Sequence, residues 1–251
     1  MPRILVTNDD GVQSEGIRAL AAGLELLGEV TVVAPLGESS AIGHALTLAR
    51  PLRLEQIGDR LFSVDGTPTD CVNVAVAEVL GGLPDLVVSG INKGYNIGDD
   101  ITYSGTVAGA MEGALLGVPA IAVSLCRTPT FDFEQSVAAG VAVSRVVIEH
   151  GLPPRTFLNV NVPPGRARGF RVTVQAKRNH LTSVTRGVDP RGRRYFWIDE
   201  AEYDWEPHDR SDYQAVRDGW ISVTPLHPDL TNHLALAHVS ALPLPTSAAV
   251  E

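Results

Sequence analysis

The sequence contains few of the residues that soft metals and disulfide frameworks require. Of 251 residues only two are cysteine, Cys71 and Cys126, and neither belongs to a CxxC pair or a Cys/His cluster. This shortage excludes a zinc site of the usual kind and a disulfide-stapled fold. It favours a reducing, cytoplasmic location, with Cys71 buried in the apolar run CVNVAVAEVL.

Long apolar runs and an excess of positive charge are also absent. No apolar run approaches the roughly 20 residues of a membrane-spanning helix, so we expect no membrane association. The start, MPRILVTNDDG, lacks the pattern of a signal peptide and predicts a first β-strand. The chain has 20 Lys and Arg against 29 Asp and Glu, a formal net charge of −9. That balance disfavours nucleic-acid polymers as partners but allows a small anionic substrate held through a metal.

Short Val- and Ile-rich segments alternate with segments of helical spacing along much of the chain. This alternation predicts βαβ units, and therefore an α/β fold. We expect a Rossmann-like, mostly parallel sheet with helices on both faces. The predicted strands are residues 4–7, 30–34, 85–89, 120–124 and 157–162, and the predicted helices are residues 16–27, 70–80, 106–116 and 133–150.

The pattern changes after Pro164. The segments FRVTVQA, YFWID and WISVTPL, separated by polar turns, predict antiparallel hairpins that project from the α/β body. We expect one domain over residues 1–251, with an α/β core over residues 1–165 and hairpins and a C-terminal arm over residues 166–251.

The hairpin region is rich in aromatic side chains, and a small projection has little core in which to bury them. Apolar surface of that extent is typical of an interface. The tail DLTNHLALAHVSAL is amphipathic, and terminal helices are easily exchanged between symmetric partners. We therefore expect an obligate homo-oligomer with two-fold symmetry, in which residues from about Asp229 onward dock on another subunit. The aromatic residues are Tyr195, Phe196, Trp197, Tyr203, Trp205, Tyr213 and Trp220.

Polar loops follow the predicted strands, where ligands bind in open parallel sheets. Asp9 and Asp10 come directly after the first strand, and adjacent carboxylates repel each other unless a positive charge lies between them. Together with a hydroxyl from the loop after the second strand and a carboxamide from the loop after residues 85–89, they form an all-oxygen donor set. Such donors favour Mg²⁺, Mn²⁺ or Ca²⁺.

A second polar motif, Ser104-Gly105-Thr106, precedes a predicted helix. Hydroxyls and free N–H groups at a helix N-terminus suit a phosphate. Each motif taken alone is more often a turn or a helix cap. The functional interpretation depends on all of them lying at one end of one sheet.

The assembled motifs resemble the SurE family of acid phosphatase-like nucleotidases. The resemblance covers most of the chain, and its specificity comes from the order and spacing of the pieces. The segments that carry it are ILVTNDDG (4–11), VVAP (32–35), SVDGTPTDCV (63–72), PDLVVSGINKGYNIGDD (84–100), YSGTVAGAMEGALLGVPAIAVS (103–124) and SVTPLHPDLTNH (222–233).

The resemblance implies a phosphomonoesterase that hydrolyses nucleoside monophosphates and depends on one divalent cation per subunit: Mg²⁺, Mn²⁺ or Co²⁺. It implies a 5′-nucleotidase, with 3′-nucleotidase and short-chain exopolyphosphatase activity in some relatives. It also implies a homodimer or homotetramer in which the C-terminal segment is exchanged between subunits. Attack by a metal-activated water is the expected mechanism. The implied metal ligands are Asp9, Asp10, Ser40 and Asn92, of which Asp9 or Asp10 would also be catalytic, and the implied phosphate-binding residues are Asn96, Ser104, Gly105 and Thr106.

One loop departs from the family pattern. Counting back from Leu46 and Thr47 selects Ser40 as the hydroxyl ligand, with Ser39 as the alternative. Ala41 stands where the family commonly has glycine, which changes the expected backbone path.

Other functions on the same fold class fit the sequence less well. A dinucleotide-dependent oxidoreductase wants G-x-G-x-x-G after the first strand, where this chain has two acids. No P-loop, no G-x-S-x-G elbow and no Asp-x-Asp nucleophile follows that strand. A non-catalytic module that binds metal and nucleotide remains the alternative from a different class.

Overall fold

In the part of the chain that the structure describes, nine strands form one central sheet. The computed structural model describes residues 1–179, 183–199 and 204–243. The strands are β1 (Arg3–Thr7), β2 (Glu29–Pro35), β3 (Leu54–Gly58), β4 (Leu61–Val64), β5 (Leu86–Lys93), β6 (Ala120–Leu125), β7 (Phe157–Val162), β8 (Phe170–Val172), β9 (Arg178–Asn179), β10 (Ser183–Val188), β11 (Arg194–Asp199), β12 (Asp204–Trp205) and β13 (Ile221–Leu226). The order in the large sheet is β3-β4-β2-β1-β5-β6-β7-β13-β8.

The five predicted strands lie side by side at the centre of this sheet as β2, β1, β5, β6 and β7. They are parallel throughout, with β1 paired to β2 on one side and to β5 on the other. The chain therefore reverses its direction of travel across the sheet at β1. Such a switch point opens a crevice beyond the carboxyl ends of the strands, between β1 and β5.

Helices cover both faces of the sheet, which confirms the predicted α/β class. The helices are α1 (Glu15–Leu24), α2 (Pro68–Val74), α3 (Gly105–Leu115), α4 (Glu134–His150), α5 (Asp212–Arg217) and α6 (Leu236–Ser240). Helices α1 and α4 bury Leu20 and Val143 against one face, while α2 and α3 bury Val72 and Val107 against the other. Side chains of successive β1 residues point to opposite faces of the sheet: Ile4 and Val6 pack in one core, and Leu5 packs in the other.

Helix α3 packs unusually close to the sheet because glycine recurs along the face in contact. A Cβ added at Gly109 would lie 2.8 Å from Thr7 Cγ2, and one at Gly113 would lie 2.9 Å from Val87 Cβ. Side chains at these positions would push the helix away from β1 and β5. The glycines thus bring the first turn of α3 to the carboxyl end of β1.

The prediction of projecting hairpins was wrong for two of the three segments. WISVTPL contains β13, which extends the main sheet antiparallel to β7, and FRVTVQA contains β8, which is parallel to β13. Alternating apolar residues predict a half-buried strand, but they do not indicate which strand it pairs with. YFWID does form a hairpin strand: β11 pairs antiparallel with β10 around the Asp189–Arg193 turn. The hairpin β3–β4 and helix α5 were not predicted.

The aromatic residues divide between packing and exposure. Trp205 stacks on Tyr213 with ring centroids 4.5 Å apart, and the Trp220 ring lies under the guanidinium groups of Arg168 and Arg171. By contrast Tyr195, Phe196 and Trp197 on β11 are exposed, with Trp197 66% accessible. Tyr203 lies outside the described residues, as does the end of the tail from residue 244.

Within the described residues, the predicted tail helix reduces to a 3-10 turn, His233–Ala235, and the five residues of α6. None of the helices in the described ranges has the length and apolar character needed to span a bilayer.

Candidate functional site

The Asp9 side chain is buried at the carboxyl end of β1, against the first turn of α3. A Cβ added at Gly105 would lie 2.7 Å from Asp9 Cβ and 2.9 Å from its Oδ2. The Thr106 hydroxyl donates a hydrogen bond to Asp9 Oδ1. The two motifs that the sequence separates by nearly a hundred residues are therefore in direct contact.

The turn that carries both acids is held by its own polar side chains. Asn8 Nδ2 donates to the Gly11 carbonyl at 3.0 Å and to Ser14 Oγ at 2.9 Å. Ser14 in turn caps α1 by accepting from the Ile17 N–H. Gly11 has φ 93°, a conformation that favours glycine. The NDDG segment is thus a rigid strand-to-helix turn.

Burial makes the negative charge of this pair costly. Desolvation raises the pKa of Asp9 to about 6, and the neighbouring Asp10 adds to the rise, while hydrogen bonds from Thr106 oppose it. Desolvation also raises the pKa of Asp10, and the positive charges of Lys93 and Arg127 oppose this. A bound cation would act on both carboxyls in the same favourable direction.

Two buried oxygens in this turn, Asp10 Oδ2 and Asn8 Oδ1, have no hydrogen-bond partner among the described residues. Unpartnered buried oxygens are rare in folded proteins and call for an explanation such as an ion or a water. Together with the all-oxygen chemistry of the neighbouring donors, the free Asp10 oxygen fits a hard divalent cation. Of the predicted metal ligands, the two acids therefore have surroundings that fit a cation.

Lys93 and Arg127 near the acids were missed by the sequence interpretation. The Lys93 ammonium lies 5.3 Å from the Phe131 ring centroid and 6.0 Å from that of Phe133, which holds its charge near Asp10. Part of the positive charge demanded by the acids therefore comes from the protein itself. Lys93 is the one positively charged residue in the polar segment GINKGYNIGDD. Its position in that segment is the sequence feature that could have identified it.

Asn92 lies inside β5, which continues to Lys93 instead of ending at residue 89 as predicted. The Asn92 side chain is half-buried, and its Nδ2 donates to the Gly94 carbonyl at 2.9 Å. This hydrogen bond orients the carboxamide without using Oδ1, the atom that would ligate a hard cation.

The two serines after β2 occupy different environments. The Ser39 N–H donates to the Asp9 carbonyl at 2.8 Å, which ties this loop to the acidic turn. Ser40 is exposed, and its hydroxyl donates to Glu38 Oε1 at 2.7 Å. Ser40 remains a predicted ligand. To bind a cation, its hydroxyl would have to give up the hydrogen bond to Glu38.

The loop that carries these serines is fastened at its far end. Asp70 accepts from the Thr47 N–H and the Thr67 N–H, each at 2.9 Å. His44 Nε2 lies 2.7 Å from Glu112 Oε2 on α3. Burial alone would raise the pKa of Asp70, but hydrogen bonds from Thr47 and Thr67 lower it overall. The ionised carboxylate is therefore the form that stabilises the loop.

We expect Asp70→Asn to lower the free energy of unfolding at pH 7 by about 1–3 kcal/mol, because an amide cannot accept from both N–H groups. A lowered folded pKa stabilises the protein above the unfolded value of about 3.8 and ceases to do so as the pH falls through the folded value. The difference between the two proteins should therefore shrink below about pH 3.8. Urea unfolding from pH 7 to pH 3 measures it; a constant difference would contradict this origin.

Ala41 is strained where the family resemblance leads one to expect glycine. Its φ is 54°, in the left-handed region that a Cβ disfavours. We expect Ala41→Gly to be neutral or to stabilise the folded protein by about 1 kcal/mol, because relief of strain competes with the added freedom of the unfolded chain. Thermal unfolding decides this; a clear loss of stability would mean that the methyl group makes a useful contact.

The predicted phosphate-binding residues are partly engaged with other groups. Ser104 Oγ accepts from the Val107 N–H at 3.1 Å and so caps α3, which leaves its O–H free to donate. Thr106 is used by Asp9. Asn96 is buried, and its Nδ2 donates to Ser124 Oγ at 2.7 Å, which occupies one of two N–H bonds. Among the described residues, the donors that remain are the Gly105 N–H and the Ser104 hydroxyl at the start of α3, and one Asn96 N–H in the loop after β5.

Comparison with known proteins gives consistent results. The family model described as Survival protein SurE matches residues 4–182. The 5'-nucleotidase SurE of Syntrophotalea carbinolica is 55% identical over 91% of this chain and 92% of that protein. The 5'-nucleotidase SurE of Pelobacter propionicus is 52% identical over 93% and 96%. The crystal structure of the Sure protein from Aquifex aeolicus superposes with a TM-score of 0.86 at 44% identity, covering 95% of this chain and 98% of that one.

Proposed function

This chain belongs to the SurE family, and we propose that it is a metal-dependent phosphomonoesterase acting on nucleoside monophosphates. Its class, a 5′-nucleotidase-type phosphatase, follows from relatives that share half of its residues over most of their length. The structural observation that carries the proposal is the contact of Asp9 with Gly105 and Thr106. It joins an acidic, oxygen-rich turn to a helix N-terminus suited to phosphate.

Asp9, Asp10, Asn92 and Ser40 would hold one divalent cation, which when bound supplies Lewis-acid polarisation of the phosphoryl group and of water. The positive end of α3 offers the Gly105 N–H and the Ser104 hydroxyl to phosphate oxygens.

Neighbouring groups supply the remaining roles. Lys93 lies beside Asp10. Its positive charge would neutralise negative charge that develops on the phosphate oxygens. Asp9 or Asp10 would also orient the attacking water, in addition to its role as a ligand of the cation.

The experiment that tests this function compares turnover of all nucleoside monophosphates, in 5′ and 3′ forms, with Mg²⁺, Mn²⁺ and Co²⁺. We expect hydrolysis that EDTA abolishes and that added cation restores. Short polyphosphates belong in the same series, because an exopolyphosphatase activity uses the same phosphate chemistry. Tight metal and nucleotide binding without turnover would instead support a non-catalytic module.

We further propose that the 251 residues form one domain, and that it assembles as a homodimer or homotetramer. Support comes from the apolar surface of the β10–β11 hairpin, where Phe196 is 59% and Ile198 84% exposed. On the tail, Leu230 is 92% and Leu234 96% exposed. Apolar surface of this extent usually belongs to an interface.

Deletion of the segment after Leu226 should therefore produce monomers or aggregates of lower stability. The metal-binding residues all precede the deletion, so calorimetric Mn²⁺ binding should persist in any monomer that remains folded. Sedimentation velocity gives the oligomeric state. Full-length protein that stays monomeric at micromolar concentration would refute the interface while leaving the metal site unaffected.

A further inference from the structure

The backbone of Asn96 is clamped by two carboxamides from a buried strand. The Asn96 N–H donates to Asn161 Oδ1 at 2.9 Å, and Asn161 Nδ2 donates back to the Asn96 carbonyl at 3.0 Å. Asn159 Nδ2 donates to the same carbonyl at 2.7 Å. Asn159 and Asn161 have no solvent exposure, and Asn96 is only 7% exposed.

This arrangement fixes one residue of an irregular segment on both of its backbone groups. Asn159 and Asn161 occupy alternate positions of β7, so they lie on one face of the sheet at its carboxyl end. A buried carboxamide is costly unless its hydrogen bonds are formed, so the three residues hold one another in place. Hydrogen bonds in such dry surroundings are stronger than in water.

The same segment is fixed again two residues later. The Gly98 N–H donates to Asp212 Oδ2 at 3.0 Å, and Asp212 Oδ1 accepts from the Ala176 N–H at 2.9 Å. Asp212 is also fully buried. The path from Asn96 to Gly98 is thus set by residues more than sixty positions further along the chain, while the Asn96 side chain is oriented separately by Ser124.

We infer that Asn161 is a positioning residue of the hydrolytic site: it holds the Asn96 backbone so that the free Asn96 side-chain N–H is presented to the substrate phosphate. The inference rests on the proposed function and on the phosphate-binding role that the family resemblance implies for Asn96. Asn161 itself touches neither substrate nor cation and acts only through Asn96. A displacement of about 1 Å in such a group can cost on the order of 10²-fold in rate.

Asn161→Ala removes both halves of the clamp and tests the inference. We expect kcat with a nucleoside monophosphate to fall by about 10²-fold. Inorganic phosphate, titrated calorimetrically in the presence of Mn²⁺, should bind at least about tenfold more weakly. Mn²⁺ affinity without phosphate should change by less than about twofold, because the proposed ligands are untouched. Asn161→Asp, which keeps the acceptor for the Asn96 N–H, should recover part of the loss.

Gln135→Ala is the matched control. Its carboxamide also clamps two backbone groups, donating to the Pro163 carbonyl at 3.1 Å and accepting from the Ala167 N–H at 2.7 Å, outside the site. It should lower Tm with kcat and phosphate affinity unchanged. If Asn161→Ala behaves like this control, the positioning role is overturned and Asn161 is merely structural.

A third variant keeps the test decisive if Asn161→Ala does not fold. Asn159→Ala removes one of two donors to the Asn96 carbonyl and should show a smaller loss of the same kind in phosphate affinity; unchanged affinity overturns the inference. Failure of the proposed function gives a different result. Wild-type protein would then hydrolyse no nucleoside monophosphate, while weaker phosphate binding by the variants would still support the clamp.

Discussion

Asp9→Asn and Asp10→Asn are each expected to reduce turnover by about 10³-fold, because each removes one negative donor from the centre of the site. Mn²⁺ affinity, measured by calorimetry, should fall in both variants. The fold should survive, since an Asn at position 9 still accepts the Thr106 hydrogen bond through its Oδ1. Without metal, stability should be equal to or higher than that of the wild type, because a costly buried charge is gone.

Asp59→Asn provides the control for loss of one negative charge. Asp59 is exposed in the turn between β3 and β4, outside the site. It should change neither Mn²⁺ affinity nor turnover. Unchanged Mn²⁺ affinity in both site variants would end the idea that Asp9 and Asp10 share one cation, and would leave Lys93 and Arg127 as the charges that balance them.

The second large effect is expected at Thr106. Thr106→Val keeps the shape of the side chain but removes the hydroxyl that holds Asp9 Oδ1 in a fully buried position. Loss of this donor removes one of the hydrogen bonds that hold the carboxylate in place, and leaves the backbone N–H donors of Asp9 and Thr106 to hold it. We expect turnover to fall by about 10²-fold and stability by about 1–3 kcal/mol.

Thr106→Ser is the matched variant because it restores the hydroxyl and removes only a methyl group. Its turnover should lie within about tenfold of the wild type. Equal losses in the valine and serine variants would show that packing of the methyl group, not the hydrogen bond to Asp9, is what the site requires. Steady-state kinetics with Mn²⁺ and thermal unfolding separate the two.

The amino-acid sequence by itself determined the fold class and the five central strands. Those strands are covered on both faces, so they form short continuous apolar runs that contrast with the helices between them. It also determined that Asp9 and Asp10 are polar residues just beyond a strand end, and that the Ser104–Thr106 turn begins a helix. Parallel sheets collect such positions at one edge, so the composition of the site follows from local pattern alone.

Strand pairing beyond the centre was decided only by the tertiary structure. β13 pairs with β7 and β8 pairs with β13, and a partner some sixty residues away leaves no mark on the local alternation of apolar residues. Lys93 beside Asp10, the Asn161 clamp on Asn96 and the Asp212 anchor on Gly98 are also contacts between distant segments. The contact between Asp9 and Thr106 is of the same kind. Each motif can be recognised in the sequence, but the distance between them depends on how closely the glycine face of α3 packs on the sheet.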